Sequence, residues 1–226
     1  DTSALDHIVS LDMDLDGEDC AEQRLRDAVS QLPHSYSLRV QWVQWLRSNR
    51  LHVAKPEIEK FLEDYPQDAW GYREAAIVAA MTHDLQAANQ YALTAIELDP
   101  TSDTAYFLLG RIALEHGNVD EARRHFRSTL EKNCDHESAI AALIDTCDRP
   151  ADRSQQLDFV LQQLKTQTTF GDGVLAYRAA AAGRIPPDQA LAGVQEAIEN
   201  RPDLWQCWSA LIDPHMAMND RDRAVE

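Results

Sequence analysis

The first residues whose types and spacing suggest chemistry are three aspartates that alternate with apolar residues near the start of the chain. The stretch Asp12-Met-Asp14-Leu-Asp16-Gly17 has the opening pattern of a calcium-binding loop. Such a loop needs oxygen ligands at alternate positions and a glycine at its sharp turn. It closes with a bidentate glutamate at the twelfth position, where this chain has Gln23. The pattern is a half-complete calcium site, and the alternative is a solvated acidic segment.

The other reactive side chains form no pattern typical of catalysis or metal binding. The eight histidines include no HExxH motif and no pairing with cysteines at zinc spacing. The GxSxG, Walker A and GxGxxG motifs are absent. The four cysteines are far apart, which is typical of free thiols in a reducing compartment. We therefore expect no enzyme activity, no cofactor and a cytoplasmic location. A removed leader is the alternative, because the chain begins with Asp1 rather than Met.

The charge of the chain narrows the classes of partner. The formal net charge is −17 and the isoelectric point is about 4.7. Such a chain is repelled by phosphate backbones and by anionic membrane surfaces, so we expect neither nucleic acid nor membrane as a partner. No apolar run approaches the roughly 20 residues of a membrane-spanning helix. Arginine greatly outnumbers lysine, which suggests a bacterial source with a GC-rich genome.

The elements that position these side chains repeat with a period of 34 residues. One set of markers consists of small residues that precede apolar runs at multiples of this spacing: Ala88, Ala122 and Ala190. A second set consists of prolines that close such runs: Pro66, Pro100 and Pro202. In the clearest copy, residues 103–136, two amphipathic helical patterns flank a Gly117-Asn118 turn. Two independent markers therefore agree on one helix-pair repeat.

This pattern resembles the tetratricopeptide repeat (TPR) family, in which Trp or Tyr, Leu-Gly, Ala, Phe and Pro occupy fixed places in 34 residues. The resemblance implies an all-α, right-handed solenoid of stacked antiparallel helix pairs. An acidic N-terminal segment would occupy residues 1–19, with a short helix at the apolar cluster Ile8-Val9-Leu11. The expected repeats are the second helix of a partial copy at 20–34, copies at 35–68, 69–102, 103–136 and 171–204, a degenerate copy at 137–170 and a truncated copy at 205–226.

Four positions depart from a regular array. Trp42 replaces the small residue of the first helix in its copy, so it should push the two helices apart locally. Pro56 falls inside a predicted second helix, which it either kinks or begins. Gly171-Asp172-Gly173 contains the strongest turn signal and suggests a hinge. Pro214 is expected to interrupt the first helix of the last copy.

In TPR proteins the first helix of each pair lines a concave groove, so the resemblance implies peptide-binding positions there. The predicted groove residues are Tyr36, Arg39, Arg47, Trp70, Arg73, Phe107 and Arg111. Aromatic side chains beside arginine are favoured at recognition surfaces, and the planar arginine fork suits carboxylates. We therefore expect a scaffold or adaptor that binds a peptide or helix of an acidic or carboxylate-bearing partner. The alternative is that the arginines pair with acids on neighbouring helices and that Trp70 and Phe107 pack between hairpins.

Two other functions stay open. The chain could be a non-catalytic arm of a larger enzyme, such as a glycosyltransferase or peptidase, because its last copy is incomplete. It could also be a scaffold that self-associates. In that case the uncapped end carrying Trp205 and Trp208 would dock on another copy.

Overall fold

A computed structural model describes the backbone of residues 2–15 and 17–217, and the side chains of residues 7–15, 17–199 and 201–211. The described residues form helices and no strands, which confirms the all-α fold predicted from the repeat pattern. The helices, numbered in chain order, are α1 Thr2–Leu15, α2 Glu18–Gln31, α3 Tyr36–Asn49, α4 Leu51–Asp64, α5 Ala69–Met81, α6 Leu85–Leu98, α7 Asp103–Glu115, α8 Val119–Lys132, α9 Glu137–Asp145, α10 Pro150–Gln167, α11 Asp172–Ala181, α12 Pro187–Asn200 and α13 Trp205–Ala217.

The first compact unit, Asp1–Leu98, contains α1 to α6. Consecutive helices pack against each other, and apolar residues at helical spacing form one buried core. Phe61 of α4 and Leu46 of α3 lie at its centre and are fully buried. The N-terminal helix α1 extends well beyond the short helix predicted around Ile8.

The second compact unit, Asp99–Glu226, contains α7 to α13. Its α7–α8 hairpin is packed most tightly at Gly110, where a Cβ added to the glycine would lie 2.4 Å from Cε1 of Phe126. Because such a distance is shorter than any real carbon contact, only glycine fits there. Ala122 and Phe126 of α8 are fully buried in the same core.

Trp42 gives the α3–α4 hairpin of the first unit a different packing. Its side chain is buried and stacks parallel to Trp45, with ring centroids 6.1 Å apart. Its Nε1 donates a hydrogen bond to Glu57 Oε2 at 3.1 Å. The helices α3 and α4 run close together over less of their length than α7 and α8 do. The predicted local separation of the two helices is therefore present.

Two prolines are accommodated inside helices. Pro56 lies in the middle of α4, so the interpretation that it begins that helix is wrong. The backbone of α13 continues through Pro214 to Ala217, so the predicted interruption is also wrong. The φ angle of proline is compatible with an α-helix, and each proline removes only one backbone donor.

The loop between α10 and α11 is held by two charged side chains of the second unit. The Asp135 carboxylate accepts hydrogen bonds from the backbone N–H groups of residues 169, 170, 171 and 173 at 2.7–3.1 Å. Arg201 donates to the carbonyl oxygens of Thr168 and Thr169. A Cβ on Gly173 would lie 2.4 Å from the Cys134 carbonyl oxygen, so this helix start also requires glycine. These contacts argue against the predicted hinge.

Candidate functional site

The predicted groove residues fall on the helices expected to carry them. Tyr36, Arg39 and Arg47 lie on α3, and Trp70 and Arg73 lie on α5, all in the first unit. Their spacings of three, eight and three residues along each helix are close to whole turns, which places them on one face of each helix. We call this set of five residues the α3–α5 face.

An aromatic cluster underlies the α3–α5 face. Phe61 is fully buried and lies between Tyr36, Tyr65 and Trp70, with ring centroids 5.8, 4.8 and 5.3 Å away. Tyr36 and Tyr65 meet edge to face at 5.3 Å. These are favourable distances for aromatic pairs. Trp70 therefore packs against the core, as the alternative interpretation from the sequence predicted.

Tyr36 keeps 42% of its surface exposed at the edge of this cluster. Its hydroxyl donates a hydrogen bond to Asp68 Oδ2 at 2.9 Å. Partial burial, followed by the hydrogen bond and the charge of Asp68, raises the pKa of Tyr36 to about 12. Tyr36 is therefore a neutral, oriented aromatic ring that offers apolar surface to solvent.

Two arginines of the α3–α5 face pair with acids on neighbouring helices. Arg39 lies 2.6 Å from Asp64 of α4, with its guanidinium 6.0 Å from the centre of the Phe61 ring. Arg47 Nε lies 2.9 Å from Glu74 Oε2 of α5, an ion pair without the alignment of a hydrogen bond. These are the pairs that the alternative interpretation predicted in general terms. The acidic partners themselves were not identified from the sequence.

Glu74 is the buried member of this group. Only 9% of its side chain is exposed, against 32% of that of Arg47. Burial raises the pKa of Glu74 above its usual range, while the charges of Arg47 and Arg73 act in the opposite direction. The sequence signal is a single glutamate directly before the small and apolar second half of α5. Glu74 fixes one side of the Arg47 guanidinium and leaves its other side toward solvent.

The remaining two predicted groove residues, Phe107 and Arg111, lie on α7 of the second unit. Phe107 is partly buried, with its ring 5.7 Å from that of Phe126 and 4.7 Å from that of His136. Arg111 is exposed and has no ionic or hydrogen-bond partner among the side chains that the structure describes. Phe107 thus has a packing role, whereas Arg111 is available to a ligand.

The aspartates of the half-complete calcium loop are arranged differently from the ligands of a calcium site. Asp12 and Asp14 lie in the last turns of α1, and Asp12 forms an ion pair with Arg24 of α2. Asp16 lies outside the described residues. Within the described part of the chain, no group of three His, Cys, Asp or Glu side chains could hold a metal ion. The calcium loop stays a prediction, and the helical backbone at Asp12 and Asp14 disfavours it.

The exposed tryptophans predicted at the C-terminal side of the chain are exposed in the structure. Trp205 and Trp208 of α13 expose 67% and 54% of their surfaces, and Trp208 Nε1 donates to the Pro202 carbonyl oxygen at 2.9 Å. Phe170, in the loop before α11, is 65% exposed. These rings form the most strongly exposed aromatic group among the described residues of the second unit.

Comparison with known proteins gives a match to one family over part of the chain. Residues 79–145 match a family model described as tetratricopeptide repeat. The matched segment makes up 67 of the 226 residues of the chain. The tetratricopeptide repeat (TPR) class to which the matched segment is similar consists of non-catalytic modules for protein interaction. In the described residues, no helix is long and apolar enough to cross a membrane.

Solved structures show the same TPR fold. MamA matches with a TM-score of 0.57 at 17% identity, covering 70% of this chain and 93% of MamA. Pseudomonas aeruginosa pilF matches with a TM-score of 0.59 at 16% identity, covering 91% of this chain and 94% of pilF. Yeast Tom70 matches with a TM-score of 0.61 at 14% identity, covering 98% of this chain but 47% of Tom70. At these identities the likeness establishes the fold alone.

Proposed function

We propose that the first unit binds a peptide segment of a partner protein on the α3–α5 face. The observation that carries this proposal is the Arg47 side chain, which is held by buried Glu74 on one side and is one-third exposed on the other. Tyr36 adds exposed aromatic surface on the same helix. Arginine and tyrosine are among the residue types that dominate binding at protein interfaces.

The proposed ligand group is a carboxylate. Arg47 uses Nε toward Glu74, and its two terminal nitrogens have no partner among the described residues. A guanidinium with free terminal nitrogens donates two parallel hydrogen bonds to a planar carboxylate. Arg39 contributes less, because only 13% of its side chain is exposed, against 32% of that of Arg47. An aspartate, glutamate or C-terminal carboxylate of the partner would therefore lie over Arg47, with an apolar side chain about five residues away along an extended peptide against Tyr36.

Phe107 and Arg111 belong to the second unit, where we propose that Phe107 supports the helix and Arg111 contacts a partner. The exposed guanidinium of Arg111 has the same free donors as Arg47, but no buried acid fixes it. A mobile arginine loses more conformational freedom on binding than a fixed one. Arg111 is therefore the weaker of the two carboxylate contacts.

The test begins with a random peptide library displayed on phage and selected on the intact chain. The selected peptides are synthesised and their affinities measured by fluorescence anisotropy. Arg47→Ala should weaken binding by about tenfold or more, because truncation of a central arginine removes a dominant contact. Replacing the carboxylate of the peptide with an amide should cause a similar loss, and the two losses should not add.

A matched control is Arg26→Ala. Arg26 lies on α2, is half exposed and pairs with Glu22 one helical turn away, so its loss removes the same charge from a different surface. Affinity should change little in this variant. Equal losses from Arg26→Ala and Arg47→Ala would mean that only net charge matters. Unchanged affinity in Arg47→Ala with an intact helical CD spectrum would refute binding on the α3–α5 face.

A second candidate function is self-association, favoured by the exposed rings of Trp205, Trp208 and Phe170. Large exposed apolar patches mark interaction surfaces on soluble proteins. Sedimentation velocity should show a dimer that dissociates when Trp205 and Trp208 are both replaced by serine. A monomer at the highest soluble concentration of the unmodified chain would exclude this function.

A further inference from the structure

The N-terminal helix α1 presents an apolar stripe that no described residue covers. Ile8, Leu11 and Leu15 are 42%, 55% and 77% exposed. Their spacing of three and four residues places them on one narrow face of the helix. On the opposite side, Val9 is buried in the core of the first unit. Helix α1 therefore has apolar residues on two faces, and only one of them is covered by the first unit.

A groove runs beside this stripe between α1 and α2. It has a volume of about 410 Å³ and is lined by Ile8 of α1 together with residues of α2: Cys20, Gln23, Arg24, Asp27, Ala28 and Gln31. The α2 residues recur at helical spacing, so the groove follows the axis of α2. Its dimensions suit side chains from another helix, because a docked helix inserts residues from one face into such a depression.

The charge around the groove is strongly negative. Residues 7–31 contain seven acidic residues and two arginines, which gives a net charge of −5 with His7 neutral. Both arginines already have acidic partners, Asp12 for Arg24 and Glu22 for Arg26. Asp14 and Asp27 are exposed and have no cationic partner among the described residues. The stripe is thus apolar at its centre and acidic at its margins.

We infer that α1 and the groove beside it dock a basic amphipathic helix of a partner protein. The apolar face of the partner helix would cover Ile8, Leu11 and Leu15. Lysine or arginine residues on its flanks would lie near Asp14 and Asp27. Apolar anchors at intervals of three and four residues are the usual mode by which a helix binds a groove. Complementary charge adds specificity and speeds association.

The same charges argue against a second copy of this chain as the occupant. Each copy carries a net charge of −17, and the α1–α2 region is itself acidic. Bringing two such surfaces together costs electrostatic free energy, whereas a basic helix gains it. The site is also distinct from the α3–α5 face, since it uses none of the residues of that face. Failure of one site therefore leaves the other intact.

The test uses synthetic peptide helices as probes on the intact chain. One fluorescein-labelled peptide of about 18 residues, longer than the 14-residue α1, carries leucines at helical spacing and lysines at the remaining positions. A second has the same composition in scrambled order. A third keeps the leucines and replaces every lysine with glutamate. Anisotropy titrations at two salt concentrations should show tight, salt-sensitive binding of the first peptide only.

The variants separate the apolar stripe from general surface effects. Leu11→Ser with Leu15→Ser should weaken binding of the lysine peptide by about tenfold or more, because two buried leucine contacts are lost. Leu93→Ser with Leu98→Ser is the matched control, since these leucines of α6 are also exposed, at 46% and 37%. The control should bind as the unmodified chain does.

The charged margin is tested with Asp14→Asn and Asp27→Asn together, which should weaken binding severalfold and reduce its salt dependence. Equal binding of the scrambled or glutamate peptide overturns the inference, as does absence of binding by the lysine peptide. A dimer that dissociates in the Leu11→Ser, Leu15→Ser variant would also overturn it, because a second copy would then be the occupant. All substituted side chains are exposed, so folding is preserved and each result is interpretable.

Discussion

The hairpins α3–α4 and α7–α8 differ in the size of the side chain at the point where their two helices meet. In α7–α8 the first helix has no side chain at Gly110, and the ring of Phe126 packs directly against its backbone. In α3–α4 the corresponding position holds Trp42, which is 4% exposed and hydrogen-bonded to Glu57. One hairpin is closed by the absence of a side chain, and the other is held open by a large, anchored one.

This difference in packing determines which of the two hairpins has a pocket at its surface. The close packing at Gly110 leaves no space between the helices, since even a methyl group would collide there. Around Trp42 the looser packing leaves a pocket of about 210 Å³, lined by Trp42, Arg26 and Glu57 among others. Of these two copies, the one with the weaker motif is thus the one with the more irregular surface. Loss of a consensus residue here reflects a different packing solution rather than decay of the repeat.

The largest expected effect comes from removing the tryptophan that distinguishes α3–α4. Trp42→Ala should lower the free energy of unfolding by about 4 kcal/mol, because it leaves a cavity and removes the hydrogen bond to Glu57 Oε2. Urea denaturation followed by CD measures the change. Trp42→Phe, which keeps most of the volume, should cost about half as much. If Trp42→Ala were neutral or stabilising, the hairpin would be able to close like α7–α8, and the comparison would fail.

The second-largest expected effect on stability comes from Asp135, which holds the loop between α10 and α11 by hydrogen bonds rather than by close packing. Asp135→Ala removes four hydrogen bonds to a charged acceptor. We expect a loss of about 3 kcal/mol, with partial exposure of the carboxylate limiting the cost. The measurement is thermal unfolding by calorimetry. Asp172→Ala, at a neighbouring residue that starts α11, is the control and should cost less than half as much.

Gly110→Ala tests the closed hairpin directly. Alanine normally favours a helix over glycine by about 1 kcal/mol. Here its Cβ would overlap the Phe126 ring, so we expect a net loss of about 2 kcal/mol in the free energy of unfolding. Phe126→Leu in the same chain should reduce the penalty of the alanine, which a double-mutant cycle measures. If the two substitutions had additive effects on the free energy of unfolding, the Phe126 ring would not be the cause of the Gly110→Ala penalty.

The smallest effect is in α9–α10, where both small residues of the repeat are replaced. Gln156 stands at the position of Ala122 in its own copy, is 7% exposed, and its Oε1 has no hydrogen-bond partner among the described residues. Gln156→Leu should raise the free energy of unfolding by about 1 kcal/mol, because it removes an unsatisfied buried group. Gln155→Leu, at an exposed neighbour, should change little. A loss of stability in Gln156→Leu would show that the amide is satisfied in solution.

The fold is well predicted from the sequence because each copy of the repeat carries the same markers, so each copy supports the assignment of the others. A 34-residue period is visible in the small residues and prolines, and the helices follow from it. The looser packing of α3 against α4 was also predicted, from the volume of the Trp42 side chain at the position where α7 has Gly110. The prolines were not, because a helix tolerates one missing donor when its neighbours pack well. Likewise Gly171-Asp172-Gly173 looks flexible only if Asp135, 34 or more residues earlier, is ignored.

The candidate site was predicted less completely than the fold. The helix faces that carry Tyr36 and Arg47 follow from spacing within one helix. Their acidic partners do not, because Asp68 and Glu74 are about 30 residues away and lie on or next to a different helix. Which of several nearby acids an arginine contacts depends on helix orientation, and the sequence pattern leaves that undetermined. The repeat assignments and the groove therefore stay predictions until the binding experiments are done.

The anchored loop before α11 also determines how the chain is digested. Phe170 is 65% exposed and would be an obvious cleavage site for chymotrypsin. A protease, however, must draw the backbone on both sides of the bond into an extended form. The amides of Thr169 and Phe170 are both bound by Asp135, so cleavage there requires the loop to open first. The rate of chymotryptic cleavage after Phe170 consequently measures how often the loop between α10 and α11 opens.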